Sequence, residues 1–295
     1  MSSRAGVSGT PDVETAEQLL RADSATLASA LQISMPEARR EIQVLLTRAL
    51  GVDLAILLAH PERVPEARAT HGYSRAFARR LGGEPMAYIL SEREFYGLRF
   101  EVTPAVLIPR PETELLVEMA LERLPQAAAA KVLDMGTGSG CIAVTLAKLR
   151  PAARVIASDV SLAALDIAER NARHQHVTNI EFRLGSWFEP HGDERFDLIV
   201  SNPPYLGQDD PHLRERDLRA EPRVALAAGL DGLEALRTIV LQAPQHLLPG
   251  AALIVEHGYD QAEGVAQLFR AARFSDVVAR TDIAGIPRAA AGRCP

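Results

Sequence analysis

A glycine-rich turn and a later acidic residue have the spacing of a nucleoside-binding site. Gly136, Gly138 and Gly140 alternate directly after an apolar run, and Asp159 follows about 20 residues later. Glycines permit positive φ and let a ligand approach the backbone closely. The G-x-G-x-G spacing differs from the dinucleotide fingerprint and from the P-loop. An acidic residue at the end of the next strand can accept both ribose hydroxyls, so the two features predict a nucleoside-containing ligand.

A second candidate site follows the apolar run at 196–201 and has the sequence Asn202-Pro203-Pro204-Tyr205. Two consecutive prolines cannot continue a central strand, so they fix the loop. The Asn202 side chain and the Pro203 carbonyl then offer two fixed acceptors for an NH2 group. The ring of Tyr205 can lie against a planar amide or aromatic amine. The segment therefore predicts chemistry on a planar nitrogen.

Strands and helices alternate from about residue 112, as in a parallel, doubly wound sheet that binds ligands at the carboxyl ends of its strands. The predicted strands are 131–134, 154–159, 179–184, 196–201, 251–256, 276–280 and 287–293. The predicted helices are 112–124, 141–149, 161–173, 233–248 and 261–271.

The residues before this sheet are predicted to form a tail, a helical bundle and a linker. Residues 1–12 are rich in Ser and Gly, which predicts a disordered tail. Residues 13–85 have helical periodicity and predict a small bundle that docks a partner. Residues 86–110 predict a linker with a β-hairpin turning at Gly97-Leu98, and residues 111–295 form the remaining domain.

Composition excludes several classes of function. The chain has 32 basic and 38 acidic residues, a net charge of −6, which argues against holding nucleic acid through a basic surface. Its two cysteines form no disulfide framework, and its histidines predict no metal site. Residues 1–10 lack the apolar core of a signal peptide, and no apolar run is long enough to span a membrane. We expect a cytoplasmic protein without membrane contact.

Together, the glycine turn, Asp159 and Asn-Pro-Pro-Tyr resemble the class I (Rossmann-like) S-adenosylmethionine methyltransferases that act on a planar nitrogen. More narrowly, the chain resembles the HemK/PrmC family, which methylates the side-chain amide nitrogen (N5) of the glutamine in the GGQ motif of class 1 peptide-chain release factors. The resemblance implies an α/β fold with a mostly parallel, seven-stranded, doubly wound sheet, a small all-helical N-terminal domain and a hairpin linker. The segments that resemble the family are 83–89, 93–95, 107–114, 210–213, 221–222, 256–258, Asp282, Gly285, Arg288 and 292–293.

The resemblance also implies roles for individual residues. Cofactor binding is implied for Gly136, Thr137, Gly138, Ser139, Gly140, Asp159, Trp187 and Asn202. Substrate binding is implied for Asn202, Pro203, Pro204, Tyr205, Phe95 and Glu112, with Asn202, Pro203 and Tyr205 catalytic. Ser186 stands where the family often has an acid that contacts adenine, which leaves the adenine contact of this position open. The implied partner is a release factor, bound by a monomer with no direct nucleic-acid contact.

Two other functions stay open at this point. A nucleic-acid methyltransferase acting on N6 of adenine or another planar amine shares Asn-Pro-Pro-Tyr, but the acidic charge disfavours it. The N-terminal segment up to Glu84, with ten acidic and ten basic residues, adds no basic target-recognition region. A cofactor-binding protein that no longer catalyses is the other alternative, which the intact Asn202–Tyr205 segment disfavours.

Overall fold

The computed structural model describes residues 14–215 and 217–295. The chain forms two compact units, Met1–Ile89 and Leu90–Pro295, and each is described by itself below. The tail predicted for residues 1–12 lies outside the described residues.

The first unit consists of amphipathic helices around a small apolar core. Its helices are α1 (Ala16–Leu31), α2 (Met35–Leu50), α3 (Leu54–Ala59) and α4 (Ala67–Leu81), with α5 (Met86–Leu90) at the boundary. A capping box begins α1, since the Thr15 hydroxyl accepts from the Gln18 amide while the Gln18 side chain accepts from the Thr15 amide. Inside the unit, Arg80 pairs with Glu41 at 2.8 Å.

The second unit begins with a two-stranded hairpin, β1 (Glu92–Phe95) and β2 (Leu98–Glu101). Phe95 pairs with Leu98, so the turn residues are Tyr96 and Gly97, at φ +52° and +72°. The prediction of a Gly97-Leu98 turn was therefore wrong by one residue. A type I′ turn needs positive φ at both central positions, and Leu98 instead begins the second strand.

The remaining strands and α-helices of the second unit largely alternate along the chain, and the strands build one seven-stranded sheet. They are α6 (Glu114–Arg123), β3 (Lys131–Met135), α7 (Cys141–Leu149), β4 (Arg154–Asp159), α8 (Leu162–His174), β5 (Ile180–Leu184), β6 (Phe196–Ser201), α9 (Glu234–His246), β7 (Leu247–Glu256), α10 (Ala262–Ala271), β8 (Ser275–Thr281) and β9 (Pro287–Arg293). The strand order is β5-β4-β3-β6-β7-β9-β8, and β9 is antiparallel to both its neighbours. The predicted mostly parallel, seven-stranded sheet is confirmed.

Two predicted helices have different ends in the structure. A 3-10 turn at Pro111–Thr113 precedes α6, where the sequence predicted a helix from residue 112. The helix predicted to reach residue 248 ends at His246, because Leu247 is fully buried and pairs with Phe196 in the sheet.

The order of the strands places the two candidate segments side by side. The chain passes from the central strand β3 to β4 and β5 on one side, then returns to β6 on the other. Met135 and Ser201, the last residues of β3 and β6, are paired, and the Ser201 hydroxyl donates to the Met135 carbonyl at 2.8 Å. The loops that follow these two strands therefore open into the same crevice, at the topological switch point.

Candidate active site

The three alternating glycines have different structural roles, although all have positive φ (+69°, +55° and +80°). A Cβ on Gly138 would meet no atom within 4 Å, so this position leaves open space beside the backbone. A Cβ on Gly140 would lie 3.0 Å from the Cβ of Ala168. Gly140 therefore permits α7 to pack closely on α8, while Gly136 and Gly138 line a cavity.

Asp159 ends β4 and holds the glycine turn. One carboxylate oxygen accepts from the Gly138 amide and the other from the Ser161 amide, both at 2.9 Å. Burial raises the pKa of Asp159, and these backbone hydrogen bonds oppose the shift. The same carboxylate lines the cavity beside the glycines, so it meets the requirement for a ribose acceptor.

Asp134 in β3 holds the glycine turn through hydrogen bonds to residues in and after it. No role was predicted for this residue from the sequence. Its Oδ2 accepts from the Thr137 hydroxyl at 2.7 Å and from the Ala143 amide at 3.2 Å. Burial raises the pKa of Asp134 to about 7. The Thr137 side chain is thus turned inward, away from the cavity.

The smaller of two neighbouring cavities has a volume of about 380 Å³ and matches the predicted cofactor site. The predicted cofactor residues along its wall are Gly136, Gly138, Asp159, Trp187 and Asn202, and Pro204, which was predicted to bind substrate, also lines it. Thr137, Ser139 and Gly140 do not line it. The open space beside Gly138, which a Cβ would enter, fits a ligand held against the backbone. The residues present therefore fit a nucleoside-containing cofactor.

Asn202 lines both cavities. Its Nδ2 donates to the Thr113 hydroxyl oxygen at 3.0 Å, and Thr113 is buried in the 3-10 turn before α6. Because Nδ2 is used in this contact, Oδ1 is the atom of Asn202 left to accept a hydrogen bond from a ligand.

Tyr205 is fixed at both its backbone and its hydroxyl. Its carbonyl oxygen accepts from the Gln261 side chain at 2.9 Å, and its hydroxyl donates to Glu256 at 3.2 Å. A Cβ on Gly232 would lie 2.4 Å from the same carbonyl, so only glycine fits there. Burial and the Glu256 carboxyl raise the pKa of Tyr205 above its usual range, and the phenol keeps its proton.

Glu256 is the last residue of β7 and is 1% exposed. Burial raises its pKa to about 7, while the Thr113 and Tyr205 hydroxyls act in the opposite direction. Within the part of the chain that the structure describes, its Oε2 has no hydrogen-bond partner. Glu256 lines the larger cavity, so this unpartnered oxygen lies at the candidate site.

The larger cavity, of about 900 Å³, is the candidate substrate site and is lined by Asn202, Tyr205 and Glu112. Arg110 also lines it and forms an ion pair with the buried Glu221. Glu221 in addition accepts from the Ile108 amide at 3.0 Å, which fixes the proline-rich segment along the cavity wall.

Three predicted substrate residues do not line the larger cavity, and one of them, Pro204, lines the smaller one. Phe95 is 1% exposed and packs edge-on against Phe100 in the core, with ring centroids 6.1 Å apart. The expectation that Phe95 borders the substrate slot was wrong, because the hairpin turns this side chain into the same core cluster as Leu116 of α6. Pro203 is buried and lines neither cavity.

Sequence reasoning also missed the contribution of Thr113 and Glu256. Both lie in segments on which the family resemblance was based, but no contact of either residue with Asn202 or Tyr205 was predicted. No spacing rule connects them to Asn202, since Thr113 is 89 residues earlier in the chain. An acidic residue at the carboxyl end of β7, beside the end of β6, was the available signal for Glu256.

The site contains no recognisable metal centre. No group of His, Cys, Asp and Glu among residues 14–215 and 217–295 could hold a metal ion. His257, beside Glu256, is buried, and its Nδ1 donates to the Gly258 carbonyl at 2.8 Å. Over the same residues, no helix is long and apolar enough to cross a membrane.

Comparison with known proteins agrees with this geometry. Residues 112–216 match the family model of the methyltransferase small domain, and residues 18–90 match that of the PrmC N-terminal domain. The solved structure of a methyltransferase from Pyrococcus furiosus has the same fold, with a TM-score of 0.53 at 18% identity over 75% of this chain and 98% of that chain.

Proteins of similar sequence identify the family of this chain more closely. A release factor glutamine methyltransferase from Burkholderia pseudomallei (strain K96243) is 46% identical over 97% of this chain and 98% of its own length. Another, from Xylella fastidiosa (strain Temecula1), is 47% identical over 87% of this chain and 94% of its own. The chain belongs to the release factor glutamine methyltransferase family.

Proposed function

We propose that this chain transfers a methyl group from S-adenosylmethionine to the side-chain amide nitrogen (N5) of the glutamine in the GGQ motif of class 1 peptide-chain release factors. The observation that supports this most strongly is the position of Asn202, which lines both cavities and has its Nδ2 held by Thr113. One acceptor oxygen thus lies where a cofactor and an amide substrate would meet.

The cofactor is assigned to the smaller cavity. Gly136 and Gly138 would provide the backbone surface, Asp159 would accept from the ribose hydroxyls, and Trp187 would lie against the adenine, since all four residues line this cavity. S-adenosylmethionine, when bound, supplies a methyl group that its sulfonium already activates. The protein therefore has to bind and orient two molecules, and a strong general base is not required.

The substrate amide is assigned to the larger cavity. An amide nitrogen is a poor nucleophile because its lone pair is delocalised into the carbonyl, so its orientation has to be imposed. Asn202 Oδ1 accepts from one N–H bond and favours the positive charge that grows on nitrogen. The family resemblance assigns the second N–H bond to the Pro203 carbonyl, although Pro203 lines neither cavity. Tyr205, fixed by Glu256 and Gln261, packs on the amide plane. Glu112 lines the larger cavity, and Pro204 lines the smaller one.

The charge of the larger cavity favours a protein over nucleic acid. Among the described residues, eight Asp and Glu line it, against two arginines, Arg110 and Arg288. Phosphate groups approach such a surface only at an electrostatic cost. The alternative of an adenine N6 methyltransferase is therefore disfavoured at the site itself as well as by the net charge.

The remaining assignments concern the protein as a whole. We assign residues 13–85 to docking of the release factor, 86–110 to a linker and 111–295 to catalysis. The enzyme is proposed to act as a cytoplasmic monomer that contacts neither nucleic acid nor membrane directly. Analytical ultracentrifugation of the free protein, and pull-down of a release factor with and without residues 1–85, test the monomer and the docking assignment.

Labelled methyl transfer decides between the two substrate classes. The protein is incubated with methyl-labelled S-adenosylmethionine and, in separate reactions, a class 1 release factor, the same factor with its GGQ glutamine replaced by alanine, and duplex DNA. Label in the unaltered factor alone is expected. Label in DNA and none in the release factor would contradict the proposal.

A further inference from the structure

Asn202 and Glu256 lie on either side of one buried hydroxyl. Asn202 Nδ2 donates to the Thr113 hydroxyl oxygen at 3.0 Å, and that hydroxyl lies beside the Glu256 carboxyl. A hydroxyl has a single proton. Since the Thr113 oxygen is occupied by the Asn202 donor, its proton is available to an acceptor.

The Glu256 carboxyl has an oxygen that can accept a hydrogen bond from the Thr113 hydroxyl. Oε1 accepts a hydrogen bond from the Tyr205 hydroxyl at 3.2 Å, whereas Oε2 is buried and has no hydrogen-bond partner among the described residues. A buried acceptor with no donor is costly, and a hydroxyl with a free proton beside it removes that cost.

We propose that Glu256, as a carboxylate, is a positioning residue that sets which atom of Asn202 faces the substrate. Its Oε2 accepts a hydrogen bond from the Thr113 hydroxyl, the Thr113 oxygen accepts one from Asn202 Nδ2, and Oδ1 of Asn202 is left facing the cavities. The inference rests on the proposed function and deepens it, because the glutamine amide needs an acceptor at this position.

Protonation of Glu256 reverses the direction of these hydrogen bonds. One proton from solvent binds to Oε2, which becomes a donor to the Thr113 oxygen. The Thr113 proton then has no carboxylate to bind, and in this proposal it turns to Asn202, whose Oδ1 rotates towards Thr113. Nδ2 now faces the substrate NH2, so that two donors oppose each other and the amide is no longer held.

Two charged groups, Glu112 and Arg288, and one neutral histidine, His257, surround this carboxyl. Glu112, in the turn before α6, raises its pKa by repulsion, and Arg288 from β9 lowers it. Arg288 is itself paired with Asp282 at 3.1 Å. The adjacent His257 is buried, which lowers its pKa and keeps the imidazole neutral near pH 7. Burial has the largest effect on Glu256, so its titration at about 7 falls in the range where the enzyme can be assayed.

The test is the pH profile of kcat/KM for methylation of a peptide with a Gly-Gly-Gln loop, measured with the full chain from about pH 6 to about pH 9. The variants are Glu256→Gln, Thr113→Val and Thr113→Ser. Glu118→Gln serves as control, because Glu118 is an exposed carboxylate on the helix that follows Thr113. Calorimetry of S-adenosylmethionine binding to each variant shows that its fold is intact.

The wild type and Glu118→Gln are expected to lose about tenfold in kcat/KM per pH unit below about 7. Glu256→Gln and Thr113→Val should lack this dependence and be slower at pH 8 by about tenfold or more, with cofactor affinity within about twofold of wild type. Thr113→Ser, which restores the hydroxyl, should recover both the rate and the pH dependence.

Two results separate this inference from the function on which it rests. A wild type that methylates the peptide with the same pH profile as Glu256→Gln, or a Thr113→Val variant with the wild-type rate, overturns the inference alone. A wild type that methylates no glutamine peptide at any pH overturns the proposed function and the inference together.

Discussion

The side-chain nitrogen of Asn202 lies 3.0 Å from the hydroxyl oxygen of Thr113, a residue 89 positions earlier in the chain. This contact joins the loop after β6 to the proline-rich segment before α6. Its consequence is chemical: an asparagine side chain that could present either a donor or an acceptor is fixed as an acceptor at the boundary of the two cavities.

Replacing Asn202 by alanine should reduce methyl transfer by about 10²–10³-fold, the usual effect of removing one hydrogen-bonding group that acts on a developing charge. Affinity for S-adenosylmethionine should stay within about threefold, since the glycine turn and Asp159 remain. Steady-state kinetics and calorimetry measure the two quantities. Gln208→Ala, an exposed change in the same loop, is the control. Parallel loss of cofactor affinity and activity in Asn202→Ala would contradict the acceptor role.

Replacing Asp159 by asparagine should weaken cofactor binding by about 10- to 100-fold, the effect of losing a charged acceptor. The variant also loses one of the two backbone hydrogen bonds that the carboxylate accepts from Gly138 and Ser161. Calorimetric titration with S-adenosylmethionine measures the change. Asp166→Asn, an exposed substitution on the following helix, should bind as the wild type does. Equal affinities of Asp159→Asn and Asp166→Asn would exclude a ribose contact.

Alanine substitutions at Gly138 and Gly140 should separate binding from stability. Gly140→Ala should lower the free energy of unfolding by about 2 to 4 kcal/mol, because it combines positive φ with a 3.0 Å approach to Ala168. Gly138→Ala should cost about 1 to 2 kcal/mol for its φ alone, but its methyl group enters the cofactor cavity and weakens binding. Urea unfolding and calorimetry measure the two effects. Unchanged cofactor affinity in Gly138→Ala would show that this turn does not contact the cofactor.

The buried Asp134 should make stability depend on pH. Its native pKa of about 7 lies above the ordinary value of 3.8, so between these values the native state holds a proton that the unfolded state has released. The free energy of unfolding of the wild type, relative to Asp134→Asn, should therefore fall as the pH rises from about 4 to about 7 and stay constant above. Urea unfolding of both proteins across this range is the measurement. A difference that rises with pH would mean that the carboxyl is ionised throughout.

Most features of the fold that local sequence determines were predicted correctly. Positive φ at Gly136, Gly138 and Gly140 and the apolar strands before them follow from residue types within a few positions of one another. The turn of the hairpin was misplaced because Tyr96 adopts a positive φ that non-glycine residues rarely have. Phe95 was misassigned because its role was taken from the family resemblance, which does not show on which side of a short strand the core lies.

The site was only partly predictable for a related reason. Asn202 and Asp159 stand at the ends of predicted strands, where a doubly wound sheet places its ligands. Thr113 and Glu256 act through contacts with residues far away in the chain, and such contacts form only when the sheet and its flanking segments pack together. Their residue types gave no indication of which asparagine or tyrosine they would meet.

The central claim is that the acceptor oxygen of Asn202 directs a methyl group to the amide nitrogen of a glutamine. Fragmentation mass spectrometry of a release-factor peptide, after incubation with S-adenosylmethionine and either the wild type or Asn202→Ala, tests it most directly. We expect one added methyl on the glutamine side chain of the Gly-Gly-Gln loop with the wild type, and about 10²–10³-fold less of this product with the variant after the same incubation time. A methyl group on any other residue, or an equal yield of this product with Asn202→Ala, would contradict the claim.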